Sequence, residues 1–349
     1  MPHCPRALAW ALGSLDPDGG VFTPLTACRR ALSPSRFAPA LALLGAVSAS
    51  PDAAAAQDVA RAVRLTADND YFTFWVPPAR RADDNYTHGA RVAWNPAGAP
   101  GLARRLVCPA RRACAMALEV GQEMYTPVID APTPVSGERP YAGWLYARPD
   151  AVGADRRRRR TLALTVGVTG PAALAGTTQT AIHRQVPRFR QPLGWAHQLP
   201  TELTVAIRAE QAWRIAGRGM AGRLADLLPS VDAVVGTPRT LAGAAVRARA
   251  GVGLAHPWLA PAAPGRLAAY AFVGARGEAV AHDLFLDGST FRRSTSVARS
   301  PAVVEWERGA GLRVGRLALE YRAATRSREY ETGRRSHSYG TLGAAWVVR

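Results

Sequence analysis

The segment "ELTVAIRAEQAWRI", residues 202–215, alternates apolar and charged side chains with a period of two. One face carries Leu203, Val205 and Ile207, and the opposite face carries charged residues such as Glu210. A period of two indicates a β-strand, because successive side chains of a strand point to opposite sides. Several charges on the second face, sustained over about ten residues, are typical of a strand that faces lipid on one side and a polar lumen on the other.

The same alternation recurs along the chain, and we count about twelve such segments. An even number is what bacterial outer-membrane barrels require. We therefore predict an all-β fold, a transmembrane antiparallel up-and-down β-barrel of about twelve strands with a short helix in an extracellular loop. A soluble β-sandwich is the alternative, but its strands seldom place several arginines and glutamates on the second face. Further segments with the pattern are 61–67, 115–122, 161–168, 244–254, 315–322 and 340–348.

Aromatic residues stand at the ends of several apolar rows. In membrane barrels such residues form girdles at the two lipid–water interfaces. We expect a lipid-facing position for Trp144, Tyr146, Trp213, Tyr270, Trp306, Tyr321 and Trp346.

The composition excludes some function classes. The chain has 349 residues and a formal net charge of +18, and all of its 44 basic residues are arginine. Such a charge suits an anionic partner such as nucleic acid, a membrane surface or a phosphorylated lipid. The sequence contains no nucleic-acid-binding motif, Gly-rich phosphate loop or zinc-ligand spacing, so a membrane or lipid partner is favoured over nucleic acid.

The N-terminal region resembles an export signal. Arginines precede the apolar stretch "FAPALALLGAVSAS" and the small residues that follow it. This order predicts a signal peptide region over 1–56, with a translation start that can lie downstream of Met1, and a barrel domain over 57–349. In an oxidising compartment Cys108 and Cys114 are expected to form a disulfide, the alternative being two free thiols.

Distinctive polar motifs fall at one end of the predicted strands. With the mature N-terminus in the periplasm, the motifs lie on the outer rim of the barrel. The loop after the fifth strand contains "TTQTAIHRQVP" (177–187), which predicts a helix capped by Thr177 or Thr178 and ended by Pro187. Gln179 and His183 are four residues apart and share one face of that helix. The rim motifs are "DNDYF" (68–72), "DDNYTHG" (83–89), "GQEMYTP" (121–127) and "ERPYAGWLY" (138–146).

These motifs, with "GVTGP", "QTAIH" and "GWAHQLPTE", resemble in kind and order the outer-membrane lipid A 3′-O-deacylase family, LpxR. The resemblance spans residues 65–210, and the later strands match in general pattern. It implies a twelve-stranded barrel in the outer membrane of a Gram-negative bacterium. It also implies calcium-dependent hydrolysis of the 3′-linked acyloxyacyl ester of lipid A or lipopolysaccharide, with a histidine base and a metal-stabilised oxyanion.

The resemblance also implies roles for particular residues. His183 corresponds to the active histidine, Thr87 to the hydroxyl residue of the "YT" motif, and Asn69 and Asp70 to the pair that ends strand one. Arg139 and Gln179 are implied in substrate binding. Asp70 and Asn69 are expected to bind Ca²⁺, because carboxylate and amide oxygens suit that ion. The family's acidic residue shortly after the histidine is missing from "RQVPRF", which leaves Glu202 as a candidate third ligand.

Two other readings of the barrel stay open. The first is an outer-membrane phospholipase, which needs a serine beside the histidine, and no local Ser–His arrangement stands in the first half of the chain. The second is a barrel that serves as a channel or structural protein. His88 and His197 compete with His183 for the role of base. We expect a monomer.

Overall fold

The computed structural model describes residues 62–76, 84–95, 105–108, 113–186, 189–259 and 267–347. The predicted signal peptide region, 1–56, lies outside these residues. Within them, no helix is long and apolar enough to cross a membrane.

The described strands form one antiparallel sheet that closes on itself. Strand β1 pairs with both β2 and β13, and β6 pairs with β8, so the long strands complete a twelve-stranded barrel. The two-residue strand β7 extends the edge of β8. The predicted fold is confirmed. The strands are β1 (Ala62–Asn69), β2 (Asn85–Trp94), β3 (Ala113–Thr126), β4 (Ala142–Ala154), β5 (Arg158–Thr169), β6 (Leu203–Trp213), β7 (Ile215–Ala216), β8 (Ala225–Gly236), β9 (Arg239–Val252), β10 (Ala268–Asp283), β11 (Ala302–Val314), β12 (Leu317–Ser327) and β13 (Ser336–Val347).

The connections between strands include the α-helices α1 (Ala175–Gln185), α2 (Ala221–Leu224) and α3 (Leu284–Asp287). Helix α1 begins before either threonine, so the predicted capping is wrong. Leu174 precedes it with φ 59° and gives no side-chain cap, and the Thr178 hydroxyl donates to the Leu174 carbonyl at 3.0 Å. Pro187 lies outside the described residues, and α1 ends two residues before it.

The two barrel ends differ in their connections. We call the end with the β1–β2, β3–β4, β5–β6, β8–β9, β10–β11 and β12–β13 connections the site rim, and the other end the opposite rim. Cys108 and Cys114 lie at the opposite rim and form a disulfide with a Cα–Cα distance of 6.0 Å, as predicted, although Cys114 already belongs to β3.

Charged pairs line the lumen. Arg247 binds Glu307 through two hydrogen bonds of 2.6 and 2.9 Å, and Arg276 binds Asp232 at 2.7 and 3.1 Å. Bidentate pairs of this kind hold guanidinium and carboxylate planes in fixed orientation. Such pairs bridge strands across the lumen and explain why the second face of each strand carries charge.

Aromatic side chains fill the lumen near the site rim. They correct part of the girdle prediction, because Trp144 and Tyr146 point inward here, and Tyr270 points inward nearer the opposite rim. Trp144 donates to the Thr204 hydroxyl at 2.9 Å, and Tyr270 donates to Glu320 at 2.6 Å. Trp306 and Trp346 are on the outside and exposed, as predicted. The interior cluster consists of Tyr86, Tyr125, Ala142, Trp144, Tyr146, Leu199, Leu284, Phe285, Ala324 and Tyr339.

Candidate active site

A row of residues crosses four neighbouring strands on the outer face of the wall, close to the site rim. The strand register aligns Asn69 with His88, His88 with Met124, and Met124 with Gly143. Four residues from Met124 along β3, on the same face, Val120 is 47% exposed, as a lipid-facing side chain should be. Met124, by contrast, is 1% exposed. Something therefore covers the outer wall at this level.

Helix α1 provides the cover. A Cβ atom on Gly143 would lie 2.4 Å from the Cβ of Ala175, so the absence of a side chain at Gly143 lets the helix touch the wall. Gln122, on the outer face of β3, donates to the Ala173 carbonyl at 2.6 Å. The helix thus lies on the lipid-facing side of the barrel and not over the lumen.

The two helix residues predicted from the sequence, Gln179 and His183, lie on the buried side of helix α1. Gln179 is 4% exposed, and its side-chain oxygen accepts a hydrogen bond from the Trp195 indole at 2.7 Å. The indole packs against Gly176, where a Cβ would come within 2.9 Å of the ring. Gln179 is therefore engaged by the loop after α1, and its predicted role in substrate binding stays a prediction.

His183 is buried and held by the same loop. Its Nδ1 lies 2.5 Å from the Arg190 carbonyl oxygen. A carbonyl can only accept, so Nδ1 carries the proton in this contact, and Nε2 is the basic nitrogen of the neutral ring. The Asp130 carboxylate, which accepts from the Leu193 amide at 2.9 Å, ties this loop to the β3–β4 connection. The sequence gives no signal for the contributions of Asp130 and Arg190.

Phe189 joins His183 to the end of β1. Its ring centroid lies 5.1 Å from the His183 ring and 5.2 Å from the Tyr71 ring. Tyr71 directly follows Asp70, so the structure brings the helix and the "DNDYF" motif to the same place. Phe189 thus lies in the segment where the family that the sequence resembles has an acidic residue.

Asn69 and Asp70 close the end of β1. The Asn69 side-chain oxygen accepts from the Tyr71 amide at 2.8 Å and caps a short 3-10 turn, and its amide group lies 3.4 Å from His88 Nδ1. Asp70 is 4% exposed, and its carboxylate accepts from the Asp84 amide at 2.9 Å. These contacts fix both oxygen-bearing side chains at the rim.

Thr87 lies next to this row at a bulge in β2, between Tyr86 and His88. Its hydroxyl is 2.6 Å from the Thr126 hydroxyl, and both residues are 2% exposed. The bulge turns Thr87 toward the outer face of β3. Thr87 therefore lies beside Asn69 and His88 on the outer face of the wall, and its predicted role stays a prediction.

Asp84 adds a second carboxylate beside Asp70. It is 4% exposed and lies 3.0 Å from the Arg334 guanidinium, and the Asn85 side chain donates to it at 2.7 Å. Burial raises the pKa of Asp84, and the charge of Arg334 and the Asn85 hydrogen bond oppose the rise. Its buried position at the rim was not anticipated from the sequence.

Two predicted site residues lie elsewhere. Arg139 is 2% exposed, sits 4.8 Å above the lumen-facing Tyr125 ring and pairs with Glu329 at 3.3 Å. The Glu202 carboxylate accepts from the Ser289 hydroxyl and from the Thr290 amide at 3.1 Å, and so anchors the β10–β11 connection. These contacts do not favour a substrate role for Arg139 or a metal role for Glu202, and both assignments stay predictions.

The oxygen donors at the end of β1 suit Ca²⁺ in kind but are few. No group of three or more His, Cys, Asp or Glu side chains in the described part of the chain could by itself hold a metal ion. Ca²⁺ takes six to eight oxygens, including amide, backbone and water oxygens. Asn69, Asp70 and Thr87 would supply part of such a set, with water and substrate oxygens completing it.

A closed twelve-stranded barrel with buried polar residues on the outer side of its wall, beside a helix, defines a class of integral membrane protein whose candidate site lies outside the lumen. The family model described as outer membrane protein LpxR matches residues 40–348. The chain belongs to the LpxR family of outer membrane proteins.

Two solved structures illustrate the likeness. LpxR from Salmonella typhimurium is 19% identical, with a TM-score of 0.69, and the match covers 82% of this chain and 100% of that one. The β domain of the Bordetella autotransporter BrkA is 12% identical, with a TM-score of 0.42 over 83% of this chain and 100% of that chain. The similarity to the Salmonella structure supports the fold, whereas the similarity to the BrkA domain is too low to support a conclusion. No curated protein matches the sequence.

Proposed function

We propose that the protein is a calcium-dependent lipid A 3′-O-deacylase, which hydrolyses the 3′-linked acyloxyacyl ester of lipid A or lipopolysaccharide in the outer leaflet of the outer membrane. Membership of the LpxR family supports the proposal. The observation that carries it is the buried polar cluster on the lipid-facing side of the wall, between β1–β4 and α1. A substrate that stays in the membrane can reach a site there without entering the lumen.

His183 acts as the general base in this proposal. The Arg190 carbonyl holds its Nδ1–H, so Nε2 is the basic nitrogen, and it takes the proton from a water molecule as that water attacks the ester carbonyl. The protonated imidazole then returns the proton to the leaving sugar oxygen. Thr87 is the alternative nucleophile, but its hydroxyl is already engaged with Thr126, which favours water.

Asn69 and Asp70 would hold Ca²⁺ beside the ester. When bound, Ca²⁺ supplies positive charge that stabilises the oxyanion of the tetrahedral intermediate. The protein's own contribution is the rigidity of the two side chains, since Asn69 caps its turn and Asp70 accepts the Asp84 amide.

Exposed arginines near the base suit the phosphates of lipid A. Arg184 adjoins His183 in α1 and Arg190 supplies the carbonyl that holds it, and both side chains are exposed. Guanidinium groups bind phosphates with two parallel hydrogen bonds. These two residues are better placed for that task than the buried Arg139.

The experiment is direct. Purified protein in detergent is incubated with lipid A in the presence of Ca²⁺ or excess chelator, and the lipid is analysed by mass spectrometry. We expect loss of one acyloxyacyl unit with Ca²⁺ and none with chelator. Release of fatty acid from glycerophospholipid, with lipid A unchanged, would instead establish the phospholipase reading. A channel function is not favoured, because aromatic rings pack against one another across the lumen near the site rim.

A further inference from the structure

A cluster of exposed arginines lies at the opposite rim, at the β4–β5 turn. Four arginines in 155–160 are exposed: Arg156, Arg157, Arg158 and Arg160. The fifth, Arg159, points into the lumen and pairs with Glu210. Because strand residues alternate, Arg158 and Arg160 must point to the outer face of the barrel.

The outer face of β5 is the lipid-facing wall. Leu164 and Val166 share the parity of Arg160 and are 43% and 41% exposed. On the paired strand β6, Ile207 is 55% exposed on the same face. Arg160 therefore follows an apolar surface directly, only two residues beyond Leu162, at the level where the hydrocarbon meets the headgroups.

The neighbouring side chains suit a headgroup. The strand register places Gln211 beside Arg160 and Trp213 beside Arg158, all on the outer face. Arg160 Nε donates to the Gln211 oxygen at 3.0 Å, which orients the guanidinium and leaves its remaining donors for a ligand. Tryptophan prefers the interfacial level of a membrane, where its ring is apolar and its N–H is solvated.

Hydrogen bonds hold the backbone of the turn that carries the arginines. The Asp155 carboxylate accepts from the Arg157 and Arg158 amides at 2.8 and 2.7 Å. The Trp258 indole donates to the Asp155 carbonyl at 2.7 Å, and His256 Nε2 lies 3.1 Å from the Arg156 carbonyl. Asp155 is the one acidic residue within 155–160, and its carboxylate is hydrogen-bonded to the backbone of the turn.

We infer that this surface, which we name the arginine collar (Arg156, Arg157, Arg158 and Arg160), binds the anionic headgroup of a glycerophospholipid in the leaflet at the opposite rim. The guanidinium groups meet the phosphate, and the acyl chains lie on the apolar wall of β5 and β6. Basic side chains near an anionic membrane surface each strengthen binding, and the lipid's own tails supply the apolar contact. This inference is independent of the reaction proposed for the site rim.

The test uses the full chain in detergent and native mass spectrometry with phosphatidylglycerol. We expect wild-type protein to retain phosphatidylglycerol in preference to phosphatidylcholine. The double variant Arg158→Gln/Arg160→Gln should lose about 10- to 30-fold in affinity, from about one factor of five per arginine. The matched control is Arg292→Gln/Arg293→Gln, an exposed pair at the site rim, which should bind as wild type does.

Three results would overturn the inference: equal retention of phosphatidylcholine, an equal loss in the control pair, or full displacement of the lipid by millimolar inorganic phosphate. The last would mean that the arginines bind any phosphate and do not recognise a lipid. Heat-modifiable gel migration shows that each variant is folded. If the double variant does not fold, the single variant Arg160→Gln should still show a several-fold loss, and wild-type affinity should fall as salt rises.

Discussion

Replacement of His183 by asparagine tests the proposed base. Asparagine keeps an N–H that can donate to the Arg190 carbonyl, so the loop after α1 should stay in place, but it has no basic nitrogen. General-base catalysis contributes about 10²- to 10⁴-fold, or about 3–5 kcal/mol of barrier. Because His183 is 7% exposed and the Arg190 carbonyl fixes its ring, we expect a loss within this range.

The assay is release of the acyloxyacyl acid from lipid A in detergent, with kcat and KM measured separately. We expect kcat to fall by at least about 10²-fold while KM changes by less than about threefold, since the base is needed only after substrate binds. His197→Asn is the matched control, because His197 is exposed, and it should keep near-normal activity. An active His183→Asn together with an inactive His88→Asn would refute the assignment and make His88 the base.

Further predictions concern the rim and the disulfide. Asp70→Asn should reduce Ca²⁺-dependent activity at least about 10²-fold while heat-modifiable migration is kept. Asp155→Asn, which changes a comparable carboxylate–amide contact at the opposite rim, should stay active. An active Asp70→Asn variant would exclude a metal role for Asp70. Burial alone would raise the pKa of Glu329, but nearby positive charges, chiefly Arg326, lower it to about 2, below its unfolded value. The stability that ionised Glu329 contributes to the fold is therefore present above about pH 4.5 and is lost as pH falls toward 2. Glu329→Gln should therefore reduce the drop in Tm that wild-type protein shows between about pH 4.5 and 2.5, whereas Glu331→Gln, at an exposed position, should not. Equal plots of Tm against pH for the two variants would contradict this prediction. Thiol labelling of exported wild-type protein should find no free cysteine, and Cys108→Ser should lower stability by about 2 kcal/mol, as expected for a short closed loop, with unchanged stability as the opposing result.

The fold could be predicted because its physical cause is written in each strand. A side that faces lipid must be apolar, and a side that faces a narrow lumen needs paired charges, so segments such as β6 alternate without interruption. The direction of Trp144 and Tyr146 could not be predicted in this way. The segment "YAGWLYA" is apolar on both faces, so its sequence does not say which face is the lumen.

The site was predictable in part. Motifs at strand ends fall at one rim whenever the strands run up and down, which places Asp70, Thr87 and His183 at the same end of the barrel. The sequence could not show that α1 covers the outer wall, because that depends on close approach at Gly143.

Residues whose partners lie far along the chain were the hardest to assign. Glu202 binds Ser289, 87 positions away, and Arg139 binds Glu329, 190 positions away. Neither partner belongs to the motifs that support the resemblance. A motif specifies its own residues, but the contacts that occupy a long side chain depend on the closed barrel.

The central claim is that the covered cluster on the outer wall deacylates lipid A. The most direct measurement is mass spectrometry of lipid A from Gram-negative cells that express wild-type protein or the His183→Asn variant at equal levels in the outer membrane. We predict that wild-type cells lose the 3′-linked acyloxyacyl unit from lipid A and that cells with the variant do not. Identical lipid A in the two strains would contradict the account.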